Sequence, residues 1–214
     1  MSTIVAHQLS QRFGYDLALD SVDLVVDAGE HVAVLGENGA GKTTLLRILA
    51  TATRPTSGRL EIFGLDAASE RRRLRSRIGF VSHEPGLYPA LSPTENLEFF
   101  CTLQGVERGR VAPTLDLVGL KEVAFRPAGT LSRGMQQRLA IGRAILHDPK
   151  LLVLDEPDAS LGSDGADLLA QVMKGKTTVL ATHDHALANR LCQRTVVLRN
   201  GRSQGAGTRL RVVR

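Results

Sequence analysis

The segment from Gly36 to Thr43 constrains the fold of this chain more than any other feature of its sequence. It reads GENGAGKT, which matches the pattern G-x-x-x-x-G-K-[ST], and it lies between a β-branched apolar run at 31–35 and a helical pattern at 42–49. Glycines let successive backbone N–H groups turn inward around phosphate groups without Cβ clashes, and the start of a helix adds partial positive charge. The segment therefore predicts a nucleotide triphosphate site where a strand meets a helix.

Two side chains at the end of this segment have the chemistry that a bound nucleotide needs. Lys42 is expected to reach the β- and γ-phosphates, and the Thr43 hydroxyl is placed to ligate Mg²⁺. The residues predicted to contact the nucleotide are Gly36, Glu37, Asn38, Gly39, Ala40, Gly41, Lys42, Thr43 and Thr44. Kinases, GTPases and motor ATPases share this pattern, so by itself it predicts nucleotide binding and no particular reaction.

A second part of the predicted site is the apolar run LLVL at 151–154, which ends in two acids. Asp155 would emerge at the carboxyl end of a strand, where it could hold Mg²⁺ directly or through water. Glu156 is the candidate general base that polarises the attacking water. Strands often end in surface acids, but the pairing with a phosphate-binding segment favours a catalytic role. An adjacent Asp-Glu pair also favours hydrolysis over transfer to a small acceptor.

Short β-rich runs alternate with helical segments along most of the chain. The predicted strands lie at 4–9, 22–26, 31–35, 60–63, 78–81, 151–154, 178–181 and 196–198. Several are apolar at consecutive positions, which is typical of strands buried on both faces of a mainly parallel sheet. From 85 to 146 helical periodicity replaces the strand pattern, with a capped helix predicted to begin near Leu97 after Ser92 and Glu95. Asn200-Gly201 predicts a hairpin turn near the C-terminus.

The composition excludes several classes of protein. The 214 residues, 43% hydrophobic, can bury one substantial core. The net charge is +5, but aromatics make up only 4% and Trp is absent, so we expect no nucleic-acid partner. The arginines between 71 and 77 predict a solvated helix face spanning about two turns, with contact to lipid headgroups or a partner as the alternative.

Nothing in the sequence predicts a membrane span or a metal-binding cysteine cluster. No apolar run approaches the roughly 18 residues that a span needs, and the N-terminus lacks the pattern of a signal peptide. Cys101 and Cys192 stand alone, which predicts neither a disulfide framework nor a zinc site. If the protein serves a membrane, we expect it to act from outside the bilayer.

The segment LSRGMQQR at 131–138 separates this chain from other nucleotide-binding proteins. Ser132 and Gly134 open a helix, so free N–H groups there form a second candidate anion site. The segment resembles the signature of the ABC transporter family. It precedes Asp155 and Glu156, as the signature precedes the corresponding acids in that family. The resemblance implies that Ser132, Gly134 and Gln136 contact the ATP bound by a facing second copy, in a head-to-tail dimer that buries two ATP molecules.

The family resemblance also implies the architecture. It predicts one α/β domain over 1–214, with a P-loop NTPase (RecA-like) core that has a mainly parallel sheet, an antiparallel β subdomain and a helical insert. The core would comprise 1–84 and 147–214, and the helical subdomain with the signature would comprise 85–146. The chain would be a Mg²⁺-dependent ATPase that powers a separate transmembrane subunit from the cytoplasmic face of the membrane.

Two further family positions can be placed on the sequence. Phe13 lies where an aromatic ring stacks on adenine, with Tyr15 as the alternative. His183 follows a predicted strand and resembles the switch histidine that contacts the γ-phosphate. A lone histidine after a strand is more often structural, but its order after the other motifs favours the switch role.

The chain departs from the family at two positions. His83 occupies the place of a glutamine that approaches Mg²⁺ and the attacking water, and neutral histidine can also ligate a metal. A similar histidine before an acid and Pro-Gly is familiar in ATP-binding subunits of the haem-exporter type used in cytochrome c maturation. Gly162 replaces an aspartate near the dimer seam, which predicts weaker communication between sites or slower turnover.

Two alternatives to a transporter subunit remain open at the level of the sequence. A soluble ABC ATPase of metal-cluster assembly, translation or DNA maintenance would share these motifs, although relatives in DNA maintenance need a long coiled coil and those in translation usually need two cassettes. A nucleotide-dependent scaffold with negligible turnover is the other alternative, and only Gly162 favours it.

Overall fold

A computed structural model describes residues 1–158 and 160–204 of the chain. The strands are β1 (Ser2–Phe13), β2 (Asp16–Asp27), β3 (His31–Leu35), β4 (Ser57–Ile62), β5 (Leu65–Asp66), β6 (Ile78–Val81), β7 (Leu151–Asp155), β8 (Thr177–Ala181), β9 (Arg194–Arg199) and β10 (Arg202–Gln204). The helices are α1 (Lys42–Leu49), α2 (Arg71–Arg75), α3 (Pro93–Gln104), α4 (Val111–Leu117), α5 (Arg133–Ile145), α6 (Gly165–Met173) and α7 (His185–Leu191). Three short 3₁₀ turns lie at Arg108–Arg110, Lys121–Val123 and Ala128–Thr130.

A six-stranded sheet forms the centre of the molecule, in the order β10-β9-β3-β8-β7-β6. Its strands are parallel except for the hairpin between β9 and β10, which is the turn that Asn200-Gly201 predicts. Asp155, the last residue of β7, pairs in register with Ala181 at the end of β8. The carboxyl ends of the parallel strands therefore meet at one edge, where ligands bind in open α/β sheets.

The continuous apolar runs of the central strands are explained by cores on both faces of the sheet. In β7, Leu151 and Val153 belong to the core that includes α1, whereas Leu152 and Leu154 belong to the core that includes α3 and α5. Successive side chains of a strand point to opposite faces, so a strand between two cores must be apolar at every position.

A second, antiparallel sheet has the order β2-β1-β4-β5 and packs over the same core as α1. β1 and β2 are each 12 residues long, whereas the predicted strands at 4–9 and 22–26 have only six and five residues. The hairpin extends through polar residues because each strand satisfies the backbone hydrogen bonds of the other. The antiparallel subdomain is present as predicted.

Helices occupy the chain between β6 and β7, and no strand lies between residues 82 and 150, all of which the structure describes. α3 begins at Pro93, four residues before the predicted start, because Ser92 and Glu95 form a capping box. The boundaries drawn at 84 and 146 between core and helical subdomain stay a prediction, and residues 205–214 of the predicted core lie outside the described residues.

The arginine cluster agrees with the expected solvated face only in part, because Arg72, Arg73 and Arg75 are exposed but several of the arginines also make contacts with neighbouring elements. α2 has only five residues, and Arg71 and Arg75 both donate to the Thr51 carbonyl oxygen, at 2.6 and 3.1 Å. The Arg77 guanidinium lies 3.9 Å from the centre of the Phe63 ring. Three of the arginines therefore tie neighbouring elements together, which sequence spacing alone does not show.

No helix in residues 1–158 and 160–204 has the length and apolarity needed to cross a bilayer.

Candidate functional site

The phosphate-binding loop joins the end of β3 to the start of α1. Its glycines are needed for space as well as for conformation, because a Cβ on Gly36 would lie 2.5 Å from the Leu198 carbonyl oxygen. Gly41 has a φ of 100°, in the left-handed region that side chains disfavour, and a Cβ there would lie 2.5 Å from the Ala18 carbonyl oxygen. The loop is thus compressed between β2 and the end of β9, which holds its backbone in one conformation.

Lys42 carries a positive charge that the described residues leave without a carboxylate partner. Its side chain is buried, and Nζ donates to the carbonyl oxygens of Gly36 and Glu37 at 2.8 and 3.1 Å. A buried charge satisfied only by neutral carbonyls is costly, and an anion bound beside it would remove that cost. The arrangement suits a phosphate group cradled by the same loop.

Thr43 and Asp155 meet across the cleft. The Thr43 hydroxyl donates to Asp155 Oδ1 at 3.3 Å, and Asp155 Oδ2 is buried without a hydrogen-bond partner among the described residues. Burial raises the pKa of the Asp155 carboxyl above its ordinary range, although the bond from Thr43 opposes this. An orphaned carboxylate oxygen beside a hydroxyl is the oxygen set that Mg²⁺ prefers, so these residues fit the predicted metal.

Glu156 is held in a strained backbone conformation directly after Asp155. Its φ is 50°, in the left-handed region, and its N–H donates to the Ala181 carbonyl oxygen at 2.9 Å. Such a conformation costs about 1–3 kcal/mol and persists only where the surroundings enforce it, which is frequent at functional sites. The strain turns the Glu156 carboxylate into the cleft that Lys42 and Thr43 line.

Two histidines flank the Glu156 carboxylate. His183 Nε2 lies 2.5 Å from Oε1, and His83 Nδ1 lies 3.9 Å from Oε2. The structure thus brings His183 to one oxygen of the predicted base and places His83 nearer the other oxygen. No group of three or more histidine, cysteine or carboxylate side chains suited to a metal occurs among the described residues. Ligation of Mg²⁺ by His83 therefore stays a prediction.

The other predicted nucleotide contacts lie around the same loop. Phe13, 54% exposed, lines the cleft with Lys42 and Glu156, whereas Tyr15 is fully exposed and is not among the residues that line it. This favours Phe13 as the stacking ring. Predicted contacts that line this cleft are Asn38, Gly39, Gly41, Thr43 and Thr44, and Glu37 and Ala40 line an adjoining cavity next to β9.

The signature residues form the start of α5 and lie outside this cleft. Ser132 is the N-cap, and its Oγ accepts from the Met135 N–H at 3.2 Å. Gln136 Nε2 donates to the Ala128 carbonyl oxygen at 3.0 Å. None of Ser132, Gly134 and Gln136 is among the residues that line the cleft containing Lys42. Their predicted contact with the ATP of a facing second copy stays a prediction.

Comparison with known proteins decides the family. A family model described as "ABC transporter" matches residues 19–159. The chain belongs to the ABC transporter family. It is 37% identical over 210 residues to the "Probable sulfate/thiosulfate import ATP-binding protein CysA" of Chlorella vulgaris, covering 94% of this chain and 89% of that protein. It is 36% identical over 209 residues to the "Nod factor export ATP-binding protein I" of Burkholderia pseudomallei, covering 94% of this chain and 69% of that protein.

Solved cassettes of the family share the whole fold. The dimeric ATP-binding cassette MJ0796 in a post-hydrolysis state with ADP and Pi has a TM-score of 0.89 and 29% identity, covering 97% of this chain and 99% of that one. These matches confirm the predicted P-loop NTPase fold, the family resemblance and ATP as the nucleotide. The protein is an ATP-binding cassette ATPase.

Several contacts that stabilise the site in this ABC cassette were missed by sequence reasoning. A Cβ on Gly134 would lie 2.3 Å from the Ser160 carbonyl oxygen, so the signature glycine is also needed for close packing. The buried Gln137 side chain donates to the Pro157 carbonyl oxygen at 3.3 Å, which ties α5 to the turn after Glu156. Gln137 stands inside the signature, but nothing in its spacing reveals the partner.

The backbone conformation at Gly162 suits glycine better than the aspartate that the family resemblance leads us to expect there. Gly162 has a φ of 80°, which glycine adopts without strain and an aspartate would adopt only at a cost. Asp164, two residues further on, forms an ion pair with Arg138, whose Nη2 lies 2.6 Å from both of its carboxylate oxygens. Asp158 accepts from the Thr182 hydroxyl at 3.0 Å.

Proposed function

We propose that this cassette is the ATP-hydrolysing subunit of an ABC transporter, and that two copies close around two ATP molecules to drive a separate membrane subunit. One observation carries the proposal: the cleft gathers Phe13, Lys42, Thr43 and Glu156, while the signature residues lie outside it. The cleft and the signature would each supply half of an ATP site. A second copy, facing the first, would complete two such sites. Relatives named as ATP-binding proteins of import and export systems support the transport role.

The residues of the cleft divide the work of hydrolysis. Lys42 and the loop amides hold the β- and γ-phosphates, and Thr43 with Asp155 would hold Mg²⁺, which neutralises charge on the phosphate oxygens. Glu156 accepts the proton of the attacking water. His183 orients the Glu156 carboxylate, 2.5 Å from its Nε2, and would contact the γ-phosphate as the family's switch histidine does. In a facing copy, Ser132, Gly134 and Gln136 would complete the cage around that phosphate.

The cytoplasmic face of a membrane is the place where such a subunit would act, as a peripheral protein. The sequence His83-Glu84-Pro85-Gly86 further supports a transporter of the haem-exporter type. Purification of the native complex tests the place of action. A membrane subunit that co-purifies with the chain would support it, whereas a stable complex with only soluble partners would favour metal-cluster assembly or a similar role.

Lys42→Ala tests the assignment of the site. Removing the ammonium should lower the ATPase rate by at least about a hundredfold, because both the phosphate contact and the stabilisation of transition-state charge are lost. The measurement is phosphate release at saturating ATP and Mg²⁺. Lys121→Ala, at an exposed lysine in a 3₁₀ turn, is the matched control and should retain the wild-type rate. An unchanged rate in Lys42→Ala would refute the site.

A further inference from the structure

Two residues outside the nucleotide cleft form a buried contact next to the switch histidine. Asp158 lies two residues after Glu156, and Thr182 lies one residue before His183. The Thr182 side chain is fully buried at the end of β8, and its hydroxyl donates to Asp158 Oδ2 at 3.0 Å. The contact joins the two segments that carry the predicted base and its histidine.

The direction of the hydrogen bonds makes Asp158 necessary as an acceptor. Thr182 Oγ1 also accepts from the Asp184 backbone N–H at 3.0 Å, and a hydroxyl has only one proton to donate. That proton goes to Asp158, because the Asp184 bond uses a lone pair. The Thr182 hydroxyl therefore bridges the Asp158 carboxylate and the backbone of Asp184, the residue that follows His183.

The loop containing His183 is anchored at its other end as well. Asp184 is the N-cap of α7, and its Oδ1 accepts from the backbone N–H groups of Ala186 and Leu187 at 2.7 and 3.1 Å. His183 is thus the middle residue of a three-residue segment held at both ends. Its ring reaches Glu156 Oε1 at 2.5 Å.

The buried position of Asp158 lowers the stability of the fold. Its Oδ1 is buried and has no hydrogen-bond partner among the described residues, and burial raises the pKa of its carboxyl. A buried carboxyl with one oxygen unsatisfied is a poor source of stability. A role in placing the neighbouring loop accounts for its presence better than a contribution to stability does.

We propose that Asp158 is a positioning residue, which holds His183 against Glu156 through the Thr182 hydroxyl. The proposal rests on the role given above to His183. It goes beyond that role, because it names the contact that keeps the histidine in place, between Asp158 and Thr182, which are 24 residues apart in sequence. Asp158 itself is not among the residues that line the cleft containing Lys42.

A double-mutant cycle tests the proposal with single-turnover rates, which resolve slow hydrolysis, alongside the KM for ATP. Asp158→Ala and Thr182→Val should each lower the hydrolysis rate about ten- to a hundredfold while KM stays within about twofold, because misplacement by about 1 Å has costs of this size. Their effects should not add when combined. In a His183→Ala background, Asp158→Ala should lower the rate no further.

Conservative variants separate positioning from folding. Asp158→Asn retains a carbonyl acceptor and Thr182→Ser retains the hydroxyl, so both should keep a rate within about threefold of wild type. Asp167→Ala is the matched control, since Asp167 forms an exposed ion pair with Arg190 that also links α6 to α7, and it should leave the rate unchanged. Thermal unfolding should show that every variant is folded.

The outcomes distinguish the two proposals. If His183→Ala lowers the rate but Asp158→Ala does not, the positioning role is refuted and the function of His183 stands. The same conclusion follows if Asp158→Ala lowers the rate by an equal factor with and without His183. If His183→Ala itself leaves the rate unchanged, the role proposed for that histidine fails, and the positioning role fails with it.

Discussion

At the scale of single residues, Lys42 and Asp155 have buried charges that a bound ligand would neutralise. Both side chains are buried, and neither has an oppositely charged partner among the described residues. The sequence motif identifies both residues, but only the folded chain shows that their charges are left uncompensated. ATP and Mg²⁺ would supply the missing partners, which links ligand binding directly to the stability of the fold.

His147 gives a prediction about pH at the same scale. Its Nε2 donates to the Ile78 carbonyl oxygen at 3.2 Å, and its Nδ1 is buried without a partner among the described residues. Burial lowers the pKa of this histidine, because a proton added at Nδ1 would find no acceptor. The unfolded chain therefore binds a proton more readily than the folded one, and stability falls as pH drops below about 6.5.

The free energy of unfolding from urea titrations should show this loss between pH 7.5 and 5. His147→Gln should flatten that part of the profile, because it removes the titrating group. A His147→Gln profile with the slope of the wild type would contradict the prediction.

At the scale of elements, α3 depends on its first turn. Ser92 Oγ accepts from the Glu95 backbone N–H at 3.2 Å, and Glu95 Oε2 accepts from the Ser92 backbone N–H at 2.8 Å. The helix then ends at Gly105, which has a φ of 67°. The sequence contains both signals, and the helix begins at Pro93, directly after the cap, instead of near Leu97.

Ser92→Ala should lower the free energy of unfolding by about 1 kcal/mol, since the first turn loses its side-chain acceptor. Ser92→Asp should recover most of this stability, because aspartate is also a good N-cap and favours the positive end of the helix. Urea unfolding followed by circular dichroism measures both. Equal stability of wild type and Ser92→Ala would show that the cap contributes nothing here.

At the scale of the whole molecule, the signature and the nucleotide cleft lie on separate surfaces of one chain. A head-to-tail dimer would unite them, as in the dimeric cassette to which this chain is similar. Glu156→Gln should slow hydrolysis strongly while leaving ATP binding intact, since the amide cannot accept the proton of water. The ATP-bound dimer would then accumulate.

Light scattering should report a dimer of Glu156→Gln with ATP and a monomer with ADP. The double variant Lys42→Ala with Glu156→Gln is the control, and it should stay monomeric because it lacks the phosphate contact. A Glu156→Gln protein that remains monomeric at saturating ATP and Mg²⁺ would refute the sandwich mechanism.

Much of the core could be predicted from the sequence because its signals are local. β3, α1 and β6 have the predicted bounds. In β3 and α1, an apolar strand, a glycine-rich loop and a helix start follow one another over a few residues, and β6 is a short run, IGFV. β5, with two residues, and the 3₁₀ turns carry too few residues for a periodic pattern and were not predicted. The lengths of β1 and β2 depend on each other and could not be read from either strand alone.

The sequence by itself determined the family, the nucleotide and the residues of the phosphate-binding loop, because these depend on consecutive residues whose backbone and charge act together. The tertiary structure decided which distant side chains share a site. It placed His183 against Glu156, Gly134 against Ser160 and Thr182 against Asp158. Such contacts depend on strand order in the sheet, and strand order is set by the packing of whole elements, which no short motif encodes.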